Sequence, residues 1–335
     1  MDGPTDDLHD RLLQPFSIGT LDLDRRLLMA PMAGISRPAF RRSVRRFGAG
    51  LVFTEMISAQ GIVHDNRHTL AYLACASDEH PIGFQLFAAE PAALARAARV
   101  CRDAGADLLD LNMACPVRKV LKTGAGAALL ATPDLAVACL RAVVAEVGDD
   151  VPVTVKIRAG VRAGDQAGSL LAPRLVAAGA AAICIHPRYA SQLYKGPADH
   201  AVTLALAREL PVPVIASGDI GAVGPDGRPD RAGCEALLDG GVAAVMVARA
   251  ALGRPWVFAE LLEGEGAPPL VERRRALALF VDGARADLGL RAVGYLRRFW
   301  PRFRRSGVLD AAQVAGLMAA TDLATIASLV RPHGG

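Results

Sequence analysis

Eight short runs of apolar and β-branched residues recur along this 335-residue chain, and their regularity limits the fold more than any other feature. They begin at Leu27 (LLMAP), Leu51 (LVFTE), Ile82 (IGFQLF), Asp107 (DLLDLN), Val151 (VPVTVKI), Ala181 (AAICIH), Val212 (VPVIAS) and Ala243 (AAVMVA). Each is punctuated by Gly, Pro or Asp, and Ala-rich segments of helical period lie between them. An average spacing of about 30 residues is what one strand, one helix and two loops take up, and continuous hydrophobicity marks strands covered on both faces. Eight successive βα units predict an α/β fold, a (β/α)8 TIM barrel with a C-terminal α-helical domain. Such a barrel takes about 250 residues, so residues 1–255 read as the barrel and 256–335 as the helical remainder. A doubly wound open sheet is the competing architecture. The barrel is preferred because chemically distinctive residues stand at the C-terminal ends of nearly every run, where barrels build their sites.

Composition narrows the setting. With 52% hydrophobic residues the chain can bury a large core, yet no window reaches the eighteen or so apolar residues of a membrane helix. The first residues are acidic and polar, so no signal peptide and a cytoplasmic location are expected. Six scattered cysteines without a C-x-x-C pair indicate neither a disulfide framework nor a zinc site. A formal net charge of +4 permits an anionic partner without demanding one.

The run ends carry, in order, Pro31-Met32-Ala33-Gly34, Glu55-Met56, Gln85, Asn112 with Cys115, Lys156 with Arg158, His186 with Arg188, Ser217-Gly218-Asp219 and Ala248-Arg249. One Gln or Asn at a strand end usually caps a loop; convergence of so many polar groups indicates a site. Lys156 is the sharpest of them, because a lysine inside VTVKIRAG loses its hydration unless an anion or a ligand compensates it. An internal ion pair with Glu55 or Asp110 is the alternative. ASGDIGAVG and VARAALGRP offer small residues where a phosphate can approach backbone N–H groups, although Gly218 and Gly221 are also ordinary turn residues. GAGAALL at Gly124 imitates a dinucleotide fingerprint but lacks its third glycine and follows no strand, which rejects a Rossmann site. Cys184, inside a run, reads as core, whereas Cys115 follows one directly and is either a packed thiol or a chemical tool.

APMAGISRPAFRR, DLNMACPVRKVLKTGAGAALL, VTVKIRAG, IHPRYASQLYKG, SGDI and ARAALGRPWVF occur in the order and near the spacing of one family. Over nearly its whole length the chain resembles the flavin-dependent tRNA-dihydrouridine synthases of bacterial type. The resemblance implies an FMN-binding catalytic barrel over residues 1–255 and a helical RNA-binding domain over 256–335. It implies reduction of specific uridines in tRNA to 5,6-dihydrouridine, with NADPH or NADH as hydride source. Cys115 would be the general acid, giving a proton to carbon 5 of the uracil while reduced flavin delivers hydride to carbon 6. Pro31, Met32 and Ala33 would line the flavin ring, Gln85 and Lys156 would bond its polar edge, and His186 would lie toward the ribityl-phosphate side. Ser217, Gly218, Asp219, Ala248 and Arg249 would meet the phosphate. Asn112 would face the uracil, with Arg188 a nearby donor, and Arg118, Lys119 and Lys122 would touch RNA beside a flipped-out base. Ala114, Pro187, Ser217 and Ala248 depart from the commonest family wording, which bears on FMN affinity and removes no catalytic group.

Two basic clusters bear on RNA. The first holds Arg37, Arg41, Arg42, Arg45 and Arg46; the second, Arg291 to Arg305, has six arginines, Arg297 and Arg298 among them, and no acid. These arginines are expected to face phosphates, with a merely solvated basic face as the alternative. Tyr295, Phe299, Trp300 and Phe303 fall at helical spacing and are expected in the core. Ribosomal RNA stays open as a substrate, because phosphate contacts carry no sequence address. So does a small-molecule FMN barrel oxidoreductase of the dihydroorotate or old-yellow type, which has no use for those arginines. An RNA-binding relative without catalysis is opposed by the intact Cys115, Lys156 and His186. A monomer is expected.

Overall fold

A computed structural model describes residues 7–331; the reading of the amino terminus rests partly on residues 1–6, which lie outside that range. All eight runs form strands: β1 Leu27–Met29, β2 Val52–Phe53, β3 Ile82–Phe87, β4 Leu108–Met113, β5 Val153–Gly160, β6 Ala182–Tyr189, β7 Val214–Ser217 and β8 Ala244–Val247. They pair in parallel in sequence order from β2 to β8, and β8 pairs with β1. Closure between β1 and β2 is made by the bridge of Leu28 with Leu51. There the Met29 N–H donates to the Leu51 carbonyl at 2.9 Å and the Gly50 N–H to Leu27 at 2.7 Å. The result is an eight-stranded parallel barrel brought to closure by that bridge, with the short strand Ile57–Ser58 pairing on Leu86–Phe87 of β3 as well.

Helices cover its outside, and those at Pro38–Arg45, Pro91–Asp103 and Pro133–Val147 each open on a proline, whose fixed φ suits the first helical turn. An antiparallel hairpin, Phe16–Ile18 with Leu21–Leu23, lies at the opposite end from the strand C-termini. Its turn at Gly19 (φ +56°) packs so closely on Pro152 and Ala181 that a Cβ there would stand 3.0 Å from Pro152. Cys101, Cys139, Cys184 and Cys234 are buried. No helix among the described residues is long and apolar enough to cross a membrane.

Beyond the barrel the chain is helical, with Leu270–Leu288, Ala292–Leu296, Trp300–Arg305, Ala311–Ala319 and Leu323–Val330. Tyr295, Phe299, Trp300 and Phe303 are buried, as their spacing predicts. Phe299 stands 4.8 Å from Phe280 and 5.8 Å from Phe40 of the helix Pro38–Arg45, ring centre to ring centre. The helical segment therefore shares an aromatic core with the barrel's first helix.

The first basic cluster is corrected by the structure. Arg41, 1% exposed, pairs with buried Glu79 and donates to the carbonyls of Ser36 (2.7 Å) and Ala74 (2.8 Å). Arg42 pairs with Asp287, Arg37 with Glu55, and Arg45 holds the carbonyls of Ala49 and Gly50. Only Arg46 of the five is exposed. The cause is geometric: a guanidinium has five donors in a rigid fork, which suits it to tying loop carbonyls and a buried carboxylate together. Arg41→Ala, which strands the Glu79 carboxylate, is expected to lower unfolding free energy by about 3–5 kcal/mol in a denaturant titration.

Candidate active site

The strand C-termini open at one mouth, where the register sets Asn112 beside Lys156, Lys156 beside Cys184, and Arg158 beside His186. At the end of β4 the chain turns through Ala114 and Cys115. The Asn112 side-chain oxygen accepts the N–H groups of Cys115 (2.9 Å) and Ala114 (3.2 Å). Its amide nitrogen donates to Gln85 Oε1 (2.8 Å) and Met56 Sδ (3.1 Å). Both ends of this amide are thus spent inside the protein, and the geometry makes Asn112 the residue that bends the chain at Cys115, not an open face for a base. Arg158, buried to 1%, donates through Nε to the Ala114 carbonyl (2.7 Å) and through Nη1 to Leu193 (2.8 Å), joining the Cys115 turn to the loop after β6.

The glycines that imitate a nucleotide fingerprint serve this turn. The Ala127 N–H donates to the Cys115 carbonyl at 3.0 Å, and at Gly126 (φ +64°) a Cβ would stand 2.7 Å from that same oxygen. The Cys115 thiol is half-buried. Burial pushes its pKa up, against the opposing pull of the Val117 N–H and the Arg158 charge, so the thiol is protonated at neutral pH.

Lys156, 7% exposed, has no hydrogen-bond partner for its ammonium, although Asp110 and Cys184 lie near enough to feel its charge. Neither suggested ion pair forms. Glu55 is taken by Arg37 and the Gly34 N–H, and Asp110 by Gln85 Nε2 (2.6 Å) and Thr154 Oγ1 (2.7 Å). Burial pushes the Asp110 carboxyl up to about 6. Lys156 is thus a donor held at the mouth with only the weakly accepting Cys184 thiol beside it and no oxygen acceptor from the chain.

His186 is pushed down to about 2 by burial and by the positive charges of Lys156, Arg158, Arg188 and Arg249, so the ring is neutral. Arg188 Nη1 lies 3.0 Å from His186 Nε2, and because a guanidinium only donates, Nε2 accepts and the ring proton sits on Nδ1. Arg188 is buried and also holds Asp219 (2.6 Å) and the Gly196 carbonyl (2.6 Å), which orients His186 and leaves little for a substrate. For Asp219, burial is outweighed by Arg188 and the Ala198 N–H, and its carboxyl lies below the usual range. Gly218 (φ +107°) lets the end of β7 approach that ring, since a Cβ would lie 2.7 Å from His186 Cδ2.

Ser217 is buried there, Ala248 is half-buried, and Arg249 reaches out with its guanidinium 5.0 Å from the Tyr194 ring. Tyr194, half exposed, stacks on His186 at 6.3 Å and stands 5.5 Å from the Arg158 guanidinium. Tyr194 is a site residue that strand-end spacing does not point to; its signal in the sequence is its place within the motif IHPRYASQLYKG after the sixth run. Pro31, Met32 and Ala33 are partly or fully exposed at the end of β1, and Arg118 and Lys119 are exposed on the short helix after Cys115. Arg297 donates to the Ala320 carbonyl (2.9 Å), and Arg298, though exposed, donates to the Gly34 carbonyl; Arg291, Arg304 and Arg305 are exposed as well. Lys156→Met, a near-isostere without the unpartnered charge, is expected to stabilise the ligand-free protein by about 1–3 kcal/mol in thermal unfolding at pH 5, where Asp110 is largely protonated.

Residues 28–281 match the family model described as dihydrouridine synthase (Dus). The chain is 40% identical over 244 residues to tRNA-dihydrouridine synthase B of Xanthomonas campestris pv. campestris, covering 73% of this chain and 71% of that protein. It is 34% identical over 321 residues to a probable tRNA-dihydrouridine synthase of Rhizobium leguminosarum bv. phaseoli, covering 92% and 95%. Among solved structures, histamine dehydrogenase from Rhizobium sp. 4-9 has a similar fold (TM-score 0.59, 15% identity, 84% of this chain), of which this chain spans about half, 51%. The old yellow enzyme from Trypanosoma cruzi is similar as well (TM-score 0.56, 13% identity, 78% of this chain and 94% of that one). At such identities these two likenesses concern the fold alone. The family match runs from β1 into the helix Leu270–Leu288 and takes in every strand end of the mouth, and by it the chain belongs to the dihydrouridine synthase family.

Proposed function

We propose that the protein is an FMN-dependent tRNA-dihydrouridine synthase that reduces specific uridines to 5,6-dihydrouridine with NADPH or NADH as reductant. One observation carries the reading: a protonated, half-buried thiol at Cys115 shares the barrel mouth with the unpartnered ammonium of Lys156. The names of the relatives support tRNA as the substrate. The residues present suit FMN. Lys156 and the Nδ1–H of His186 are donors for its polar atoms. Ser217, Gly218, Asp219, Ala248 and Arg249 would border its phosphate, with Arg249 supplying the charge. Pro31, Met32 and Ala33 would line the ring, and Gln85, whose amide already bonds Asp110 and Asn112, would stand at its edge.

FMN reduced by NADPH or NADH would supply a hydride to carbon 6 of the uracil. That transfer builds enolate-like charge on the base, and Cys115 holds the proton that carbon 5 takes up. A neutral acid in place lowers the barrier, by a factor of about 10²–10⁴ for a positioned donor. Asn112 and Arg158 fix the turn that presents the thiol. Arg188 acts through His186 and Asp219. Arg118 and Lys119 flank the thiol where RNA would enter, and Arg291, Arg304 and Arg305 offer phosphate contacts on the helical segment. Residues 1–255 would then form the catalytic domain and 256–335 the RNA-binding domain of a cytoplasmic monomer.

The first test is an absorbance spectrum of the purified protein together with a dihydrouridine assay on RNA from a strain lacking it. A flavin spectrum is expected, with dihydrouridine restored by wild type and reduced about 10²–10⁴-fold by Cys115→Ala; a protein that takes up no flavin overturns the reading. The protonated thiol is the active form and burial raises its pKa above the ordinary thiol range, so the Cys115-dependent rate should hold through neutral pH and fall only on the alkaline side, as the thiol ionises. A pH–rate profile in single turnover reads this directly.

A further inference from the structure

The loop from Pro31 to Arg37, which carries the residues proposed to line the flavin, is held from both sides. From the barrel, the Gly34 N–H donates to a Glu55 carboxylate oxygen, and the other oxygen of Glu55 pairs with Arg37 at 2.7 Å. From the C-terminal helices, Tyr295 Oη donates to the Ile35 carbonyl at 2.7 Å and Arg298 Nη1 donates to the Gly34 carbonyl. Gly34 has φ +74°, a conformation that favours glycine, and the Arg298 guanidinium lies where a Cβ would stand, 2.4 Å from Nη1. Tyr295 is 6% exposed and its ring stands 5.1 Å from Phe299 and 6.0 Å from Phe280. Packing of this kind leaves its hydroxyl one direction in which to point.

We infer that Tyr295 and Arg298 are positioning residues for the flavin: the C-terminal helices set the shape of the loop beneath the cofactor, so the cofactor pocket is complete only with that segment docked. The inference rests on the proposed flavin reading of Pro31, Met32 and Ala33. Two consecutive carbonyls, Gly34 and Ile35, are bonded across more than 250 positions of sequence, and the left-handed Gly34 lies inside a short turn closed by the Ile35 and Ser36 N–H groups on the Met32 carbonyl (both 3.0 Å). Without those bonds both carbonyls return to water, and the loop is left with its own Met32–Ser36 turn and the Glu55 anchor, which widens the conformations open to it. It also follows that Arg298, expected from its basic neighbours to grip phosphate, serves the cofactor side of the molecule.

The test compares the full-length chain with Tyr295→Phe, which keeps the ring, and with Arg298→Ala and Arg298→Lys at the surface. FMN affinity is read by fluorescence quenching, the flavin environment by its visible spectrum, and tRNA affinity by binding at two salt concentrations. Tyr295→Phe and Arg298→Ala should each weaken FMN binding about fivefold and alter the visible band, with Arg298→Lys recovering part of the loss. The tRNA affinity and its salt dependence should stay at the wild-type level. Variants that bind FMN as wild type does overturn the inference alone. So does a loss of tRNA affinity in Arg298→Ala with a salt slope about one unit shallower, which makes Arg298 a phosphate contact. A wild-type chain that takes up no FMN overturns the flavin reading itself and this inference with it.

Discussion

The parallel register of β4, β5 and β6 is the constraint on which the mouth of the barrel depends. It sets Asn112 level with Lys156 and Arg158 level with His186, and a slip of one residue would turn each of those side chains to the opposite face. The strands β5 and β6 are also the longest, each eight residues, with a register shift between Arg158 and Gly160 where they outrun their neighbours. That extra length carries Arg158 up to the Ala114 carbonyl and Arg188 out to Asp219. The Cys115 turn is thus held by the neighbouring strand as well as by Asn112 of the strand that ends in it.

Charge at the mouth is one-sided. Lys156, Arg158, Arg188 and Arg249 surround His186, and of the carboxylates Asp219 is bound to Arg188 while Asp110 lies deeper, bonded to Gln85 and Thr154. Keeping positive groups together in a poorly solvated place costs stability, and the unpartnered Lys156 ammonium is the plainest instance. The arrangement suits an anionic, oxygen-rich ligand, which returns the lost interactions on binding. Neutral His186 belongs to the same pattern: neighbouring cations forbid it a charge, and Arg188 fixes which nitrogen carries the proton.

The arginines show where a sequence pattern misleads. Arg37, Arg41, Arg42 and Arg45 look like a phosphate-binding stripe, yet every one is tied to a carboxylate or a loop carbonyl. Arg298 stands in an acid-free run and still reaches back to Gly34. A guanidinium that faces RNA and one that clamps a loop have the same local sequence, because the difference is made by carbonyls and carboxylates far away along the chain.

By itself the sequence determined the eight strands, their order, the burial of Tyr295, Phe299, Trp300 and Phe303, and the gathering of polar residues at the strand ends. Strand burial on both faces and helical spacing are local periodicities that survive without knowledge of the partners. Family motifs added the candidate roles at Cys115, Lys156 and His186. Only the tertiary structure decided how those residues stand: that Asn112 spends its amide on the Cys115 turn, that Lys156 lacks the acid it was offered, and that Tyr194 stacks on His186. It likewise decided that Tyr295 and Arg298 hold the loop after β1. These pairings run from three residues apart, Asn112 to Cys115, to 264 apart, Arg298 to Gly34, and a hydrogen bond at either range is selected by distance and direction in space, which residue periodicity does not encode.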